Sequence, residues 1–153
     1  AHYILEGWGF ARTPNELLPR IGPSIDRFVP PELNEVRSKV ADSLIEIFTT
    51  FGASESYGRL RSAVILGREV PFVMPWGERQ VMEGVIDVIY RLDGKMWIAD
   101  YKTDRTTISE APARAELYAH QAAIYREAVT RCLGLSQASF QFLFLRAGVS
   151  VDL

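Results

Sequence analysis

At 153 residues, 48% apolar and 24% charged, the chain has enough material for one sizeable core and none of the bias of a disordered or fibrous protein. A net charge of −2 excludes a uniformly basic nucleic-acid coat but leaves room for a local basic rim around an acidic centre. The single cysteine, Cys132, excludes an intrachain disulfide and a four-cysteine iron-sulfur site; with no membrane-length apolar run and no signal peptide, a reducing cytoplasm without membrane attachment is expected.

The opening AHYILEGWGF places His2, Leu5 and Glu6 at helical spacing without a cap, as expected of an excised piece whose first helix is entered part-way. On spacing alone His2 reads as a mobile terminal side chain. From Ala11 to Pro31 five of the eight prolines accompany Gly22, which predicts a loop. In ELNEVRSKVADSLIEIFTTF, residues 32–51, the apolar positions Leu33, Val36, Val40, Leu44, Ile47, Phe48 and Phe51 recur with a 3.6-residue period, and Gly52 supplies a stop. This helix is expected to support the core. A polar linker, Ala53 to Gly58, leads into strand-like SAVILGREVPFVM, where Gly67 marks a bulge or a turn between two short strands. Glu69 is an isolated acid there, facing either solvent or a metal centre. Trp76-Gly77-Glu78 predicts the turn into the next strand of a meander.

The most informative stretch is EGVIDVIYRLDGKMWIADYKTD, Glu83 to Asp104. Two β-rich runs flank Asp93-Gly94, a strong signal for a type I′ hairpin. A two-residue loop pairs Leu92 with Lys95 and places Asp87 directly opposite Asp100, their Cβ atoms about 4.5 to 5.5 Å apart. Like charges at that range repel by about 1 kcal/mol in water and about 4 kcal/mol at an effective dielectric of 20. Apolar residues on both faces of both strands argue that the hairpin is covered on both sides, so a shared proton or a bound cation is needed to offset the repulsion. Lys102 lies two residues beyond Asp100, on the same face. Two carboxylates and an ammonium around a small void suit a divalent-metal phosphodiester site; the competing reading is a solvated face on which Lys102 bridges two surface aspartates.

After an exit loop from Arg105 to Ala111, with Pro112 near the start of the next element, a helix is predicted from Ala113 to Leu133, closed by Gly134. Tyr118, Gln121 and Tyr125 share one face of it, Cys132 is expected to pack within it, and His120 is expected at the surface. ASFQFLFL predicts a strand and AGVSVDL the start of another. There is no G-x-x-x-x-G-K-[ST] phosphate loop, hence no nucleotide site in this chain.

In this order, a helix with His, a strand Glu, Gly-Val-Ile-Asp, a hairpin, Asp-Tyr-Lys-Thr-Asp and Gln-x-x-x-Tyr resemble the RecB/AddA-type branch of the PD-(D/E)XK nuclease superfamily, found at the end of superfamily 1 helicase chains. The resemblance runs from His2 to Leu145 and is tightest from Glu83 to Tyr125. It implies an α/β restriction-endonuclease-like core, a central mixed sheet with an antiparallel hairpin flanked by helices. Residues 1–153 then form a single nuclease domain, the C-terminal part of a larger helicase-nuclease acting in the bacterial cytoplasm near the nucleoid. The implied activity is Mg²⁺-dependent cleavage of DNA, with Mn²⁺ as a substitute, at single-stranded or unwound ends during recombinational repair. The implied partners are helicase domains in the same chain or in a partner protein.

Carried over by motif, Asp87, Asp100, the backbone carbonyl of Tyr101 and His2 become metal ligands, and Lys102 becomes the catalytic lysine. Glu69 becomes an acid kept near the metal, while Gln121 and Tyr125 contact DNA. Two rivals are a catalytically silent DNA-binding scaffold of the same fold and a metal-dependent small-molecule phosphohydrolase.

Overall fold

Residues 1–10, 13–135 and 137–153 are described in the computed structural model of the chain. Its centre is a five-stranded sheet in the order β1 (Val64–Trp76), β2 (Gln80–Leu92), β3 (Lys95–Lys102), β4 (Ser139–Phe144) and β5 (Val149–Asp152). Neighbours are antiparallel except β3 and β4, which are parallel. A parallel pair needs a crossover, here α5 (Ala111–Leu117) and α6 (Ala119–Leu133). The remaining helices precede the sheet in the chain: α1 (His2–Glu6), a 3-10 helix (Pro14–Arg20), α2 (Ile21–Phe28), α3 (Asn34–Gly52) and α4 (Glu55–Ser62).

The hairpin forms as its turn residues dictate. Asp93 and Gly94 take φ values of 50° and 78°, the positive pair a type I′ turn requires, and Leu92 pairs with Lys95. Both faces of the sheet are covered. Val88, Tyr90, Ala99, Tyr101 and Leu143 join residues of α1 to α4 in one cluster, while Ile89, Ile98, Phe140, Phe142 and Phe144 join residues of α5 and α6 in the other. Each of the larger apolar side chains contributes on the order of 1.5–3 kcal/mol by leaving water. β1 is one long edge strand with a bulge between Ile65 and Gly67, and an edge is where its Pro71 and Pro75 are tolerated.

Four expectations are corrected. Within the predicted 11–31 loop, Ala11 and Arg12 lie outside the described residues, but 14–28 form the 3-10 helix and α2. Pro14 opens the first element and Pro23 falls in the first turn of the second, where a missing N–H costs little. The expected polar linker 53–58 contains the start of α4; Ser54 caps it by accepting from the Tyr57 N–H at 3.2 Å. The helix predicted from Ala113 to Leu133 is two helices meeting at Tyr118, whose φ of −98° and ψ of 4° end one and begin the other. Cys132 lies on α6 but is exposed rather than packed.

Candidate active site

The site begins with an irregularity shared by β1 and β2. Arg68 pairs with Val88, and both face the α1–α4 side: Val88 belongs to that cluster and the Arg68 guanidinium lies 5.5 Å from the Phe10 ring centroid. Two residues further from the hairpin turn, Val70 pairs with Ile86, and both face the α5–α6 side. Residues two apart in a regular strand share a face, so both strands roll over between these pairs. The residues in the roll are Glu69 and Asp87, across from each other. Glu69 has a φ of 46°, a left-handed conformation that costs a non-glycine residue about 1 kcal/mol or more.

Beyond the roll the β2–β3 ladder stops at Val88–Ala99, one residue short of the expected Asp87–Asp100 pair. The expected register holds as far as the ladder runs. In place of a backbone bond, the Tyr101 N–H donates to Asp87 Oδ2 at 2.6 Å. Both carboxylates are buried, Asp87 at 6% and Asp100 at 4% exposure, which removes the reading of a solvated surface bridge. They are close enough for Asp87 to act on Asp100: burial first, and Asp87 second, push the Asp100 carboxyl up to about 6 against the opposing pull of Lys102.

Two groups of side chains meet at this break. On one side, His2 Nδ1 lies 3.1 Å from Asp87 Oδ1, and its ring stands perpendicular to that of Tyr101 at a centroid distance of 5.7 Å. The terminal histidine is therefore held in place. Its hydrogen bond to Asp87 raises its pKa, outweighing burial, which lowers it. His2, Glu69 and Asp87 each present one ligand atom, and the three atoms lie within 4.8 Å of one another. Glu69 Oε1 is buried without a hydrogen-bond partner, and burial, followed by Asp87, raises its pKa. An orphaned carboxylate oxygen beside a second carboxylate and an imidazole fits a hard or borderline divalent cation.

On the other side, Lys102 Nζ forms an ion pair with Asp100 Oδ2 at 2.7 Å. Lys102 donates to Gln121 Oε1 at 2.8 Å, and Gln121 Nε2 donates to Asp100 Oδ1 and to the Tyr125 hydroxyl, both at 3.0 Å. The amide orientation follows from its partners: only its oxygen can accept from an ammonium and only its nitrogen can donate to a carboxylate. The Lys102 ammonium also sits 4.1 Å from the Tyr118 ring centroid and 5.2 Å from that of Phe142. Tyr118 is anchored in turn by donating to Asp104 Oδ2 at 2.6 Å.

All eight residues singled out from the sequence thus meet at the break in the ladder: His2, Glu69, Asp87, Asp100, Tyr101, Lys102, Gln121 and Tyr125. For Tyr101 the engaged group is the backbone N–H, while its side chain packs in the α1–α4 cluster. His120 is exposed, as expected. The cage around Lys102 was not expected from the sequence. Two signals for it existed: Tyr118 lies three residues before Gln121 on the same face, and Phe142 pairs with Asp100 in the parallel β3–β4 register.

A cation site beside a fixed ammonium can polarise an anionic ester and neutralise charge that develops on it. A family model described as the PD-(D/E)XK nuclease superfamily matches residues 13–147. The chain is similar to the AddA protein of the ATP-dependent helicase/nuclease of Anoxybacillus flavithermus (strain DSM 21510 / WK1), 34% identical over 102 residues, which cover 63% of this chain and 8% of that protein. The protein of the same name from Streptococcus mutans serotype c is 29% identical over 128 residues, 79% of this chain and 10% of the relative. That of Bacillus pumilus is 30% identical over 84 residues, 50% and 7% respectively. The matched part of this chain spans a tenth or less of the length of these relatives.

Proposed function

The chain belongs to the PD-(D/E)XK nuclease superfamily, and from that premise we propose that it is a nuclease domain that hydrolyses DNA phosphodiester bonds with Mg²⁺, or Mn²⁺ in its place. The observation that carries this reading is the junction of two groups: His2, Glu69 and Asp87 on one side, Asp100, Lys102 and Gln121 on the other. His2 lies outside the span of the family match, so its assignment rests on its contact with Asp87.

Asp87, Asp100, His2 and the Tyr101 carbonyl are the proposed cation ligands, with Glu69 as an additional acid. A divalent cation held there supplies Lewis-acid polarisation of a phosphate oxygen and acidifies a water. Lys102 supplies fixed positive charge: its ammonium, tethered to Gln121 and Asp100 and caged by Tyr118 and Phe142, orients the attacking water and neutralises charge building on the nonbridging oxygens. Asp87 keeps β3 in place through the Tyr101 N–H. Gln121 holds Asp100 and donates to the Tyr125 hydroxyl, and the two side chains present their outer edges to the DNA. The attacking water gives up its proton to solvent as the new P–O bond forms, and the leaving 3′ oxygen takes a proton from solvent as its bond to phosphorus breaks.

In this reading, residues 1–153 are the nuclease domain of a longer helicase-nuclease chain that processes single-stranded or unwound DNA ends in recombinational repair. The names and lengths of the relatives support it. No helix among the described residues is long and apolar enough to cross a membrane, and a cytoplasmic, nucleoid-associated enzyme is proposed. The test is incubation of end-labelled single- and double-stranded DNA with the chain and Mg²⁺ or Mn²⁺. Cleavage that stops with chelator and falls by orders of magnitude in Lys102→Ala supports the reading. DNA binding without cleavage by the wild-type chain, or turnover of a small phosphoester with polymer untouched, refutes it.

A further inference from the structure

One surface feature, anchored on the helix that carries His2, has no part in the chemistry above. Tyr3 follows His2 in α1, and its ring meets that of Phe28, at the end of α2, edge-on at a centroid distance of 5.0 Å. Neither ring is in the core: Tyr3 is 44% exposed and Phe28 60%. The Arg27 guanidinium lies 5.0 Å from the Tyr3 centroid and 5.6 Å from the Phe28 centroid, and its Nη1 donates to the Tyr3 hydroxyl at 3.1 Å. Among the described residues Arg27 has no carboxylate partner, because its neighbour Asp26 is taken by Arg37.

Exposed aromatic rings gathered around an unpaired cation lose apolar surface to water and gain nothing from the core, so a ligand that uses both features is indicated. Bases stack on aromatic faces whatever their identity, and a guanidinium pairs with the phosphate between them. We propose that Tyr3, Arg27 and Phe28 form a stacking subsite for an unpaired nucleotide flanking the scissile phosphate, so that single strands are gripped on the His2 side of the site. This rests on the nuclease reading above for the location of that phosphate. A base in a duplex keeps its faces covered by its neighbours, so the subsite selects single strands over duplex. A protein neighbour would also cover exposed rings, but the place of Tyr3 one position from His2 in α1, together with the charge of Arg27, which no carboxylate among the described residues pairs, favours a polyanion passing this helix.

The experiment measures binding of a fluorescent oligothymidylate strand and of a duplex to the chain with chelator present, so that no cleavage occurs. Phe28→Ala, Phe28→Trp and Arg27→Gln are compared with wild type, and a melting curve of each variant checks its fold. Phe28→Ala is expected to weaken strand binding about tenfold, Phe28→Trp to retain it, and duplex binding to change little. Arg27→Gln is expected to weaken strand binding and reduce its salt dependence. In cleavage assays Phe28→Ala raises KM for the strand without lowering kcat.

Unchanged strand binding in a folded Phe28→Ala overturns the subsite and assigns the rings to a protein neighbour. Equal losses for strand and duplex, or a loss in Phe28→Trp equal to that in Phe28→Ala, also overturn it. Because the binding arm needs no catalysis, absence of cleavage by the wild-type chain counts against the nuclease reading and leaves the binding result separately legible.

Discussion

Glu69 and Asp87 face each other across β1 and β2 where both strands turn from one hydrophobic cluster to the other. A regular ladder would send both side chains straight out from one face. The roll, with Glu69 in the left-handed region, brings them towards His2 and into the gap where β2 and β3 part. Burying two carboxylates side by side is unfavourable without a cation, so the geometry has consequences for stability as well as chemistry.

The first concerns half-buried Glu69, whose Oε1 is shielded from solvent without a hydrogen-bond partner. Glu69→Gln removes one of two facing like charges, so the cation-free chain is expected to gain on the order of 1 kcal/mol, a rise in Tm of about 2–4 °C for a domain of this size. The same variant is expected to lose most of the extra thermal stability that Mn²⁺ gives the wild type. Melts with and without Mn²⁺ read both effects, and a lower Tm without metal would contradict the repulsion.

A second follows from Asp100. Its folded pKa of about 6 stands above the ordinary 3.8, so the folded state binds this proton more tightly than the unfolded chain does. The resulting stability is present in full below about pH 4 and is lost as pH rises through about 6. His2, also raised, acts in the same direction: its contribution is present below 6.5 and is lost at higher pH, as its raised folded value is passed. The cation-free chain is therefore expected to become less stable between pH 4 and neutrality, by a few kcal/mol. Asp100→Asn should flatten the acid part of that profile in denaturant titrations; a wild-type profile that rises with pH would contradict the assignment.

The cage around Lys102 gives a third. Tyr118→Leu removes the ring under the ammonium, while Tyr118→Phe removes only the hydrogen bond to Asp104. A cation–π contact at a partly buried site contributes about 1–2 kcal/mol, so Tyr118→Leu is expected to lower kcat roughly five- to thirtyfold with KM little changed, and Tyr118→Phe to stay near wild type. Equal losses in both variants would assign the effect to the hydroxyl instead.

Gly84 supplies a fourth. A Cβ placed there would lie 2.7 and 2.8 Å from Cζ and Cε1 of Phe72, which pairs with Gly84 across β1 and β2. Phe72 in turn meets Tyr125 edge-on at 5.8 Å. Gly84→Ala must displace a packed ring and is expected to cost about 1–3 kcal/mol, read as a Tm several degrees lower.

Much of this was legible in the sequence because it depends on local rules. Asp93-Gly94 dictated the turn, the turn dictated the register, and the register brought Asp87 and Asp100 to the same end of the hairpin. Helical spacing put Gln121 and Tyr125 together, and they stay together although the helix breaks at Tyr118. The roll at Glu69 and Asp87 was not legible, because it is set by which helices cover each half of β1 and β2, a tertiary property that alternation within one strand does not encode. The placing of His2 has the same origin: nothing near it in sequence fixes it, and its partner is Asp87, 85 positions away. The missed α4 is different, since Ser54 followed by Tyr57 and Leu60 at helical spacing was a readable cap and stripe.

The most direct measurement is anomalous diffraction from crystals of the chain grown with Mn²⁺. The account predicts a strong peak within about 2.0–2.6 Å of ligand atoms from Asp87 and at least one of Asp100, His2 and Glu69. A peak elsewhere with this cluster empty, or no peak at saturating Mn²⁺, would contradict it.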